Sequence, residues 1–420
     1  MKRYILFLFI LLITSCSKEE IVNNTENSNV EIIYGNDTKV PQTIYNTSTL
    51  NHEDNNGWAT FLTQKIESEF WTAFAYFDYN SDGEYDVFFR EWGTDNLGVN
   101  IKTKNGWELV TGVIDKQTNI GYRKIVPADI DNDGDIDMIC FIAEDPAATN
   151  NNRIMGGIDL YRFDEGIFYY ESIERYTEGM IHYNHGGVVG DVNNDGWVDI
   201  IGSGNSGAKI YLNNQGTISS DYFEVTEIKQ YQPKGGTTTS ALELIDLNND
   251  GYLDLLMGVV HNNFFFEQSP QSEHGNFNRT DYIYFGKSEY PYFEDEYILL
   301  ESESNPPTDM SPATYDWTFI DFNKDGNLDI LSLKIDVPGN IIEYYSNNGD
   351  GTFTLDNSIF QNESNYYEDM GMNRQSRFIK SWDIDGDGVE EILEEASDWF
   401  GFNAWKVDSS GKYKKVKISY

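Results

Sequence analysis

The chain has 420 residues, with 70 Asp and Glu against 29 Lys and Arg, and a formal net charge of −41. A surface this acidic repels a phosphate backbone, which excludes nucleic acid as a partner. Hydrophobic residues at 39% and aromatics at 15% supply a packed core and exclude global disorder, while 36 glycines with abundant Asn, Asp, Tyr and Phe favour short strands and tight turns over long helices.

Met1-Lys2-Arg3, an apolar run from Tyr4 to Ile13, and Thr14-Ser15-Cys16 form a secretory signal over residues 1–16. The apolar run is about half as long as the roughly 20 residues a membrane-spanning helix needs, which favours a cleaved signal over a retained span. Ile13-Thr14-Ser15-Cys16 is similar to a bacterial lipobox, which implies lipid on the Cys16 thiol and Cys16 as the mature N-terminus. Residues 17–30 open on Ser17-Lys18-Glu19-Glu20, are rich in Asn, and form a polar tether between the lipid and a body spanning 31–420. Acidic residues directly behind the cysteine also resemble the surface-export signal of lipoproteins in Bacteroidetes-like bacteria. That implies display on the outer membrane, with a periplasm-facing placement left open. With Cys16 given to lipid, Cys140 has no disulfide partner; inside an apolar strand it is expected to be an inert buried thiol.

A nine-residue pattern then recurs six times. The first three copies are Asp78-Tyr79-Asn80-Ser81-Asp82-Gly83-Glu84-Tyr85-Asp86, Asp129-Ile130-Asp131-Asn132-Asp133-Gly134-Asp135-Ile136-Asp137 and Asp191-Val192-Asn193-Asn194-Asp195-Gly196-Trp197-Val198-Asp199. The last three are Asp246-Leu247-Asn248-Asn249-Asp250-Gly251-Tyr252-Leu253-Asp254, Asp321-Phe322-Asn323-Lys324-Asp325-Gly326-Asn327-Leu328-Asp329 and Asp383-Ile384-Asp385-Gly386-Asp387-Gly388-Val389-Glu390-Glu391. Positions one, three, five and nine hold twenty carboxylates and four Asn over the six copies. Calcium takes about six to eight oxygens, carboxylate, amide or backbone carbonyl, at roughly 2.3–2.6 Å. The side chains at one, three and five converge as the loop curls, and Gly at six makes the sharp turn. That turn aims the carbonyl of position seven (Glu84, Asp135, Trp197, Tyr252, Asn327 and Val389) inward, and the acid at nine closes the shell with both oxygens. Without a cation, carboxylates crowded into one loop repel strongly.

An EF-hand loop would need a bidentate Glu at position twelve between two helices. Position twelve is instead Phe89, Cys140, Gly202, Met257 and Ser332, and only the sixth copy offers a Glu, Glu394. Short apolar runs such as Val87-Phe88-Phe89 and Leu255-Leu256-Met257 follow position nine and read as buried strands, so each nonapeptide joins two strands of a hairpin. The motif starts lie 51 to 75 residues apart, and a second Tyr-rich hairpin fills most intervals, as at Leu160-Tyr161-Arg162-Phe163 and Ile342-Glu343-Tyr344-Tyr345. Four strands per interval is the unit of a β-propeller, an all-β fold. The long interval between Asp254 and Asp321 is expected to carry an insertion at 261–290.

The calcium loop followed by Tyr-x-Asn-x-Gly-x-Gly-Thr-Phe resembles the FG-GAP/VCBS repeat proteins, relatives of the integrin α-subunit propeller. From Trp71 to Tyr420 the resemblance implies a propeller with a structural calcium in each motif-bearing blade. Integrin-like members have seven blades, and residues 30–70, with Ile32-Ile33-Tyr34 and Trp58-Ala59-Thr60-Phe61, are available for a motif-free blade. Seven blades are therefore slightly favoured over six.

His182 and His185 stand three apart before the third loop, but no further Cys or His marks a metal or nucleophile site around them or Cys140. No phosphate-cradling Gly-rich loop, nucleophile elbow or zinc-protease stretch occurs, so no catalytic residue is assigned. Aromatics in expected loops, namely Phe264, Phe265, Phe266, Tyr290, Tyr366, Tyr367 and Trp399, suit the C–H faces of sugars and suit protein partners nearly as well. The function expected is a lipid-anchored binding or adhesion module for a glycan or protein. The alternative is a propeller-fold polysaccharide lyase or hydrolase.

Overall fold

Each nonapeptide forms the turn of a β-hairpin, and its ninth residue begins the strand that follows. The residue before position one pairs with position nine in every copy: Phe77 with Asp86, Ala128 with Asp137, Gly190 with Asp199, Ile245 with Asp254, Ile320 with Asp329 and Trp382 with Glu391. A computed structural model describes residues 32–34, 71–83, 86–91, 96–104, 106–118, 120–144, 156–176, 186–204, 207–215, 225–229, 237–261, 280–302, 313–335, 340–360, 379–382, 388–395 and 402–419.

After a short strand β1 (Ile32–Tyr34), the chain builds four-stranded antiparallel sheets in sequence order. The first is β2 (Trp71–Phe77), β3 (Asp86–Glu91), β4 (Leu97–Thr103) and β5 (Gly106–Val110). The second is β6 (Gly121–Ala128), β7 (Asp137–Glu144), β8 (Gly156–Asp164) and β9 (Ile167–Tyr176), and the third is β10 (Gly187–Gly190), β11 (Asp199–Gly204), β12 (Gly207–Tyr211) and β13 (Val225–Lys229). The fourth is β14 (Thr237–Ile245), β15 (Asp254–His261), β16 (Thr280–Gly286) and β17 (Phe293–Glu301), and the fifth is β18 (Ala313–Ile320), β19 (Asp329–Ile335), β20 (Asn340–Asn347) and β21 (Phe353–Leu355). The sixth is β22 (Ile379–Trp382), β23 (Glu391–Glu395), β24 (Phe402–Val407) and β25 (Tyr413–Ser419). The first strand of each sheet meets the first strand of the next, from β2 to β22, so the sheets stand as the six blades of a propeller with these strands innermost.

The expectation of seven blades is corrected to six. Ile32-Ile33-Tyr34 does not open a blade of its own; it lies parallel to β25, Ile32 opposite Lys417, and covers the outer edge of the sixth blade. The remainder of 30–70, including Trp58 and Phe61, lies outside the described residues.

The apolar runs after position nine are buried on both faces where a blade is packed between two others, as the second to fifth blades are. In β7, Met138, Cys140 and Ile142 join the core shared with the first blade, while Ile139 and Phe141 join the core shared with the third. Each fully buried side chain of this kind contributes roughly 1.5–3 kcal/mol, so the faces between blades provide the main stabilisation. The fit is close: a Cβ on Gly187 would lie 2.1 Å from the Phe141 ring, so only glycine fits there. Cys140 is fully buried, and burial pushes its thiol pKa well above the ordinary value, in keeping with the inert thiol expected.

Because the four strands of a blade alternate in direction, the nonapeptides and the turns between third and fourth strands share one rim. The opposite rim receives the ends of β15 and β16, at His261 and Thr280, and of every other second-to-third strand pair. The expected insertion at 261–290 is shortened, since Thr280–Gly286 is the third strand of the fourth blade. Its residues Asp281 to Tyr284 are buried because both faces meet neighbours. Tyr290 is exposed at the following turn, as expected. Phe264, Phe265, Phe266, Tyr366, Tyr367, Trp399, His182 and His185 lie outside the described residues, as do residues 1–31 with Cys16.

Candidate metal loops

Five of the loops share one conformation. Position four is left-handed in each, with φ of 57° at Ser81, 55° at Asn132, 56° at Asn194, 58° at Asn249 and 59° at Lys324. The glycine at six is also left-handed, with φ between 84° and 96° in all six copies, Gly388 included. This reversal turns backbone N–H groups inward. One oxygen of the position-one Asp accepts the N–H of position five at 2.9–3.1 Å. The other accepts the glycine N–H at 2.7–3.0 Å. The amide oxygens of Asn80, Asn193, Asn248 and Asn323 at position three accept the same position-five N–H at 2.9–3.1 Å. Asp133, Asp195, Asp250 and Asp325 at position five accept the N–H of position seven, from Asp135, Trp197, Tyr252 and Asn327, at 2.8–2.9 Å. Asp82 sits at the exposed tip of the first loop, while Glu84, Asp383, Asp385 and Asp387 lie outside the described residues.

The ninth residue has a second task that the repeat pattern does not reveal. It is fully buried, and its two oxygens accept one N–H from position two and one from the end of the third strand. For Asp137 these are Ile130 at 3.0 Å and Phe163 at 2.8 Å. Asp86 takes Tyr79 and Lys102, Asp199 takes Val192 and Asn213, Asp254 takes Leu247 and Gly286, and Asp329 takes Phe322 and Asn347, all at 2.7–3.1 Å. The carboxylate thus ties the first hairpin to the third strand. A carboxylate has about four lone-pair sites, so two N–H bonds leave each oxygen able to meet an ion, except at Asp329, where Oδ2 also accepts the Tyr344 hydroxyl at 2.7 Å and Oδ1 is the oxygen left for that role. In the sixth loop Glu391 is fully buried at the same place, with Lys406 Nζ 3.6 Å from Oε1.

Burial raises the pKa of these carboxyls from 3.8, to about 7 at Asp137, Asp199 and Asp254 and to about 6 at Asp86. The paired N–H groups pull it down, and the nearby loop carboxylates push it up again. Asp329 shifts in the same direction, also chiefly through burial. A divalent cation in the loop reverses this balance and favours the ionised form.

The second loop holds five carboxylates, as many as the sixth. Asp129, Asp131 and Asp137 offer oxygens all within 4.8 Å of one another. The buried Oδ1 of Asp131 has no hydrogen-bond partner, and Arg162 Nε stands 3.7 Å from its Oδ2. An oxygen so placed is unsatisfied unless something positive meets it, which fits a hard cation. Asn at position three gives the first, third, fourth and fifth loops an amide oxygen in place of that third carboxylate.

Position two, between two of these donors, points out of its own blade. Tyr79 donates its hydroxyl to Gly166 O of the second blade at 2.8 Å. Ile130, Val192 and Leu247 are buried in the cores shared with the next blade, and the Phe322 ring lies 5.4 Å from that of Tyr413 in the sixth. Asn213 and Asn347 return the contact: their Nδ2 atoms donate to Ile130 O at 2.7 Å and to Leu247 O at 3.0 Å, both position-two carbonyls of the preceding blade. The recurring Tyr-x-Asn of the second hairpin was the visible trace of these bonds, though not of their partners.

A buried ionic network on the far side from the loops was not anticipated. Lys334 Nζ lies 2.9 Å from Glu343 Oε2 and 3.4 Å from Asp281 Oδ2, with Thr314 bonded to Asp281 and with Ser302 and Tyr345 bonded to Glu343. Burial opposes the Lys334 charge, but Asp281, Tyr345 and Glu343 outweigh it and push its pKa well above the ordinary value.

The fold and its loops define a six-bladed propeller with an aspartate-rich hairpin turn in each blade. Residues 191–257, from the first position of the third loop to the strand after the fourth, match the FG-GAP-like repeat family. Over 279 residues it is 23% identical to the T-cell immunomodulatory protein homolog of Plasmodium falciparum (isolate 3D7), an alignment covering 60% of this chain and 36% of that protein. The chain thus spans little more than a third of that relative's length. Among solved structures it is similar to a thermostable family-43 glycoside hydrolase at 8% identity, covering 81% of this chain and 90% of that one with a TM-score of 0.35. It is also similar to the V. cholerae biofilm matrix protein Bap1 at 12% identity, covering 82% and 76% with a TM-score of 0.35. At these TM-scores the likenesses carry no argument about what the chain does.

Proposed function

We propose that the chain is a calcium-stabilised propeller, held on a bacterial outer membrane by lipid on Cys16, that serves as a binding or adhesion module for a glycan or protein. The observation that carries the calcium part is the buried, unpartnered Oδ1 of Asp131 among three converging carboxylates, in a loop conformation repeated around the ring. In each loop, positions one, three, five and nine give side-chain oxygens and position seven a carbonyl. The ion supplies positive charge that offsets the burial of these acids. The loop rim is thereby spent on holding blades together, which leaves the opposite rim, where long connections such as that between His261 and Thr280 begin and end, for recognition. The anchor and the surface placement are supported by the sequence around Cys16 alone.

The test uses the soluble body from residue 31 onward, in excess calcium and in excess chelator. Calcium binding by calorimetry and a higher melting temperature in calcium are expected, as is binding to members of a glycan array that is lost on deletion of residues 262–279. Unchanged melting after verified calcium removal overturns the calcium part. Turnover of a polysaccharide by the purified body replaces the adhesion reading with the lyase or hydrolase.

A further inference from the structure

We propose that the loops of the second, third and fourth blades are coupled, so that an ion held in one favours binding in the next; this rests on the calcium reading above. Asn132, position four of the second loop, donates its Nδ2 to the carbonyl of Gly196, position six of the third, at 3.0 Å. Asn194, position four of the third loop, donates to the carbonyl of Gly251 in the fourth, also at 3.0 Å. Each acceptor carbonyl belongs to a peptide unit that is gripped from its other side as well. The Trp197 N–H of the first unit donates to Asp195 Oδ1, and the Tyr252 N–H of the second to Asp250 Oδ1, both at 2.9 Å. That unit immediately precedes the position-seven carbonyl, the backbone oxygen each loop gives an ion, so fixing its plane narrows where that oxygen points.

The donors are aimed by their own loops. Asn132 and Asn194 have φ of 55° and 56°, a conformation that costs a non-glycine residue energy and persists only while the loop around it is curled. An ion that holds the second loop curled therefore holds Asn132 on Gly196 and prepares the third, which in turn prepares the fourth through Asn194. Asn213, which begins in the third blade and donates to Ile130 O at 2.7 Å, returns the contact to the second loop. Among the three coupled loops the second has the most carboxylates, and with the unpartnered Asp131 oxygen it is the natural place for filling to begin. Among the described residues the series ends at the fourth loop. No such bond joins Asn249 to Gly326, and Ser81 and Lys324 occupy position four in the first and fifth loops. Two loops with the same fold but different neighbours thus provide an internal control.

Terbium(III), an oxygen-seeking stand-in for calcium, emits when an aromatic ring beside it is excited. Trp197 at position seven makes tryptophan-excited emission a report on the third loop, which is verified by its loss in Trp197→Phe. The full-length body is titrated as wild type, Asn132→Gly and Asn249→Gly; glycine removes the amide and keeps the left-handed backbone. The proposal expects a steeper-than-independent curve for wild type, a flatter curve with about fivefold weaker apparent affinity for Asn132→Gly, and no change for Asn249→Gly. Calcium stoichiometry by calorimetry is expected to be the same in all three. A wild-type curve fitted by independent sites, an Asn132→Gly curve that superimposes on wild type, or an equal shift in Asn249→Gly overturns the coupling while the calcium reading stands. Absence of calcium binding by wild type overturns both.

Discussion

Replacing Asp137 by Ala separates the structural work of position nine from its work on an ion. Asp137 is fully buried and takes the N–H groups of Ile130 and Phe163. Alanine leaves both donors buried without an acceptor, at about 1–3 kcal/mol each, so the cost is about 2–6 kcal/mol even where calcium is absent. Asp133, four residues earlier, is exposed at the tip and accepts only the Asp135 N–H. Its alanine variant costs no more than about 1 kcal/mol in chelator and shows its main effect only in calcium, where an oxygen of the shell is lost. Asp137→Asn keeps one acceptor oxygen and recovers roughly half of the alanine cost. Urea melts of wild type and the three variants, each in excess chelator and in excess calcium, give the comparison. Equal midpoints for Asp137→Ala and Asp133→Ala in chelator refute the reasoning, because the two N–H bonds would then contribute nothing.

In chelator, the folded chain holds protons on position-nine carboxyls whose pKa is raised from 3.8 to about 7, and the unfolded chain releases them in that window. The stability they contribute is present at the acid end and is lost as pH rises through about 7, so the advantage of wild type over Asp137→Asn shrinks from about pH 5 to about pH 7.5 in chelator. An advantage that grows over that range contradicts the assignment, and calcium is expected to remove the decline. Lys334→Met strands the Asp281 and Glu343 carboxylates in the interior and costs about 3–5 kcal/mol. Adding Asp281→Asn and Glu343→Gln recovers most of that in a urea melt, and no recovery refutes the view that stranded charge is the cause. Cys16→Ser is expected to leave an unlipidated precursor by mass spectrometry; wild-type protein recovered soluble without fatty acid on Cys16 refutes the anchor.

What was legible in the sequence was local. One nonapeptide corresponds to one hairpin turn, so six copies marked six hairpins, and the apolar triplets behind them marked strands buried on both faces. The blade number was misjudged because Ile32-Ile33-Tyr34 pairs with Lys417-Ile418-Ser419 at the other end of the chain, and no spacing or turn residue encodes a parallel pairing of that range. The same limit applies to the site. Carboxylates and Asn at fixed offsets signal a metal loop because all the donors come from nine residues. The acceptor of Asn132 is one blade away at Gly196, and only the folded ring brings the two together. Lys334 follows the apolar run Ile330-Leu331-Ser332-Leu333, but its carboxylates come from two other strands, one of them in the neighbouring blade, so the sequence around it carries no sign of the network.

The place of position two decides what an ion would stabilise. It lies between the donors at one and three, and its side chain is wedged into the next blade: Ile130 against the third, Val192 against the fourth, Leu247 against the fifth. Within a hairpin, the ladder bonds need no ion to persist. The wedge differs, since it is aimed only while positions one to five remain curled, and without a cation the converging carboxylates push that curl open. Calcium removal is therefore expected to loosen the contacts between blades before it melts the blades themselves. Hydrogen exchange with and without chelator checks this. The N–H groups of Ile130, Val192 and Leu247, bonded to position nine, should lose protection first, while ladder amides in mid-strand, at Ile139 and Leu256, hold theirs. Loss of protection at both sets together, at one chelator concentration, would mean that the ion stabilises each hairpin directly and that the wedge adds nothing.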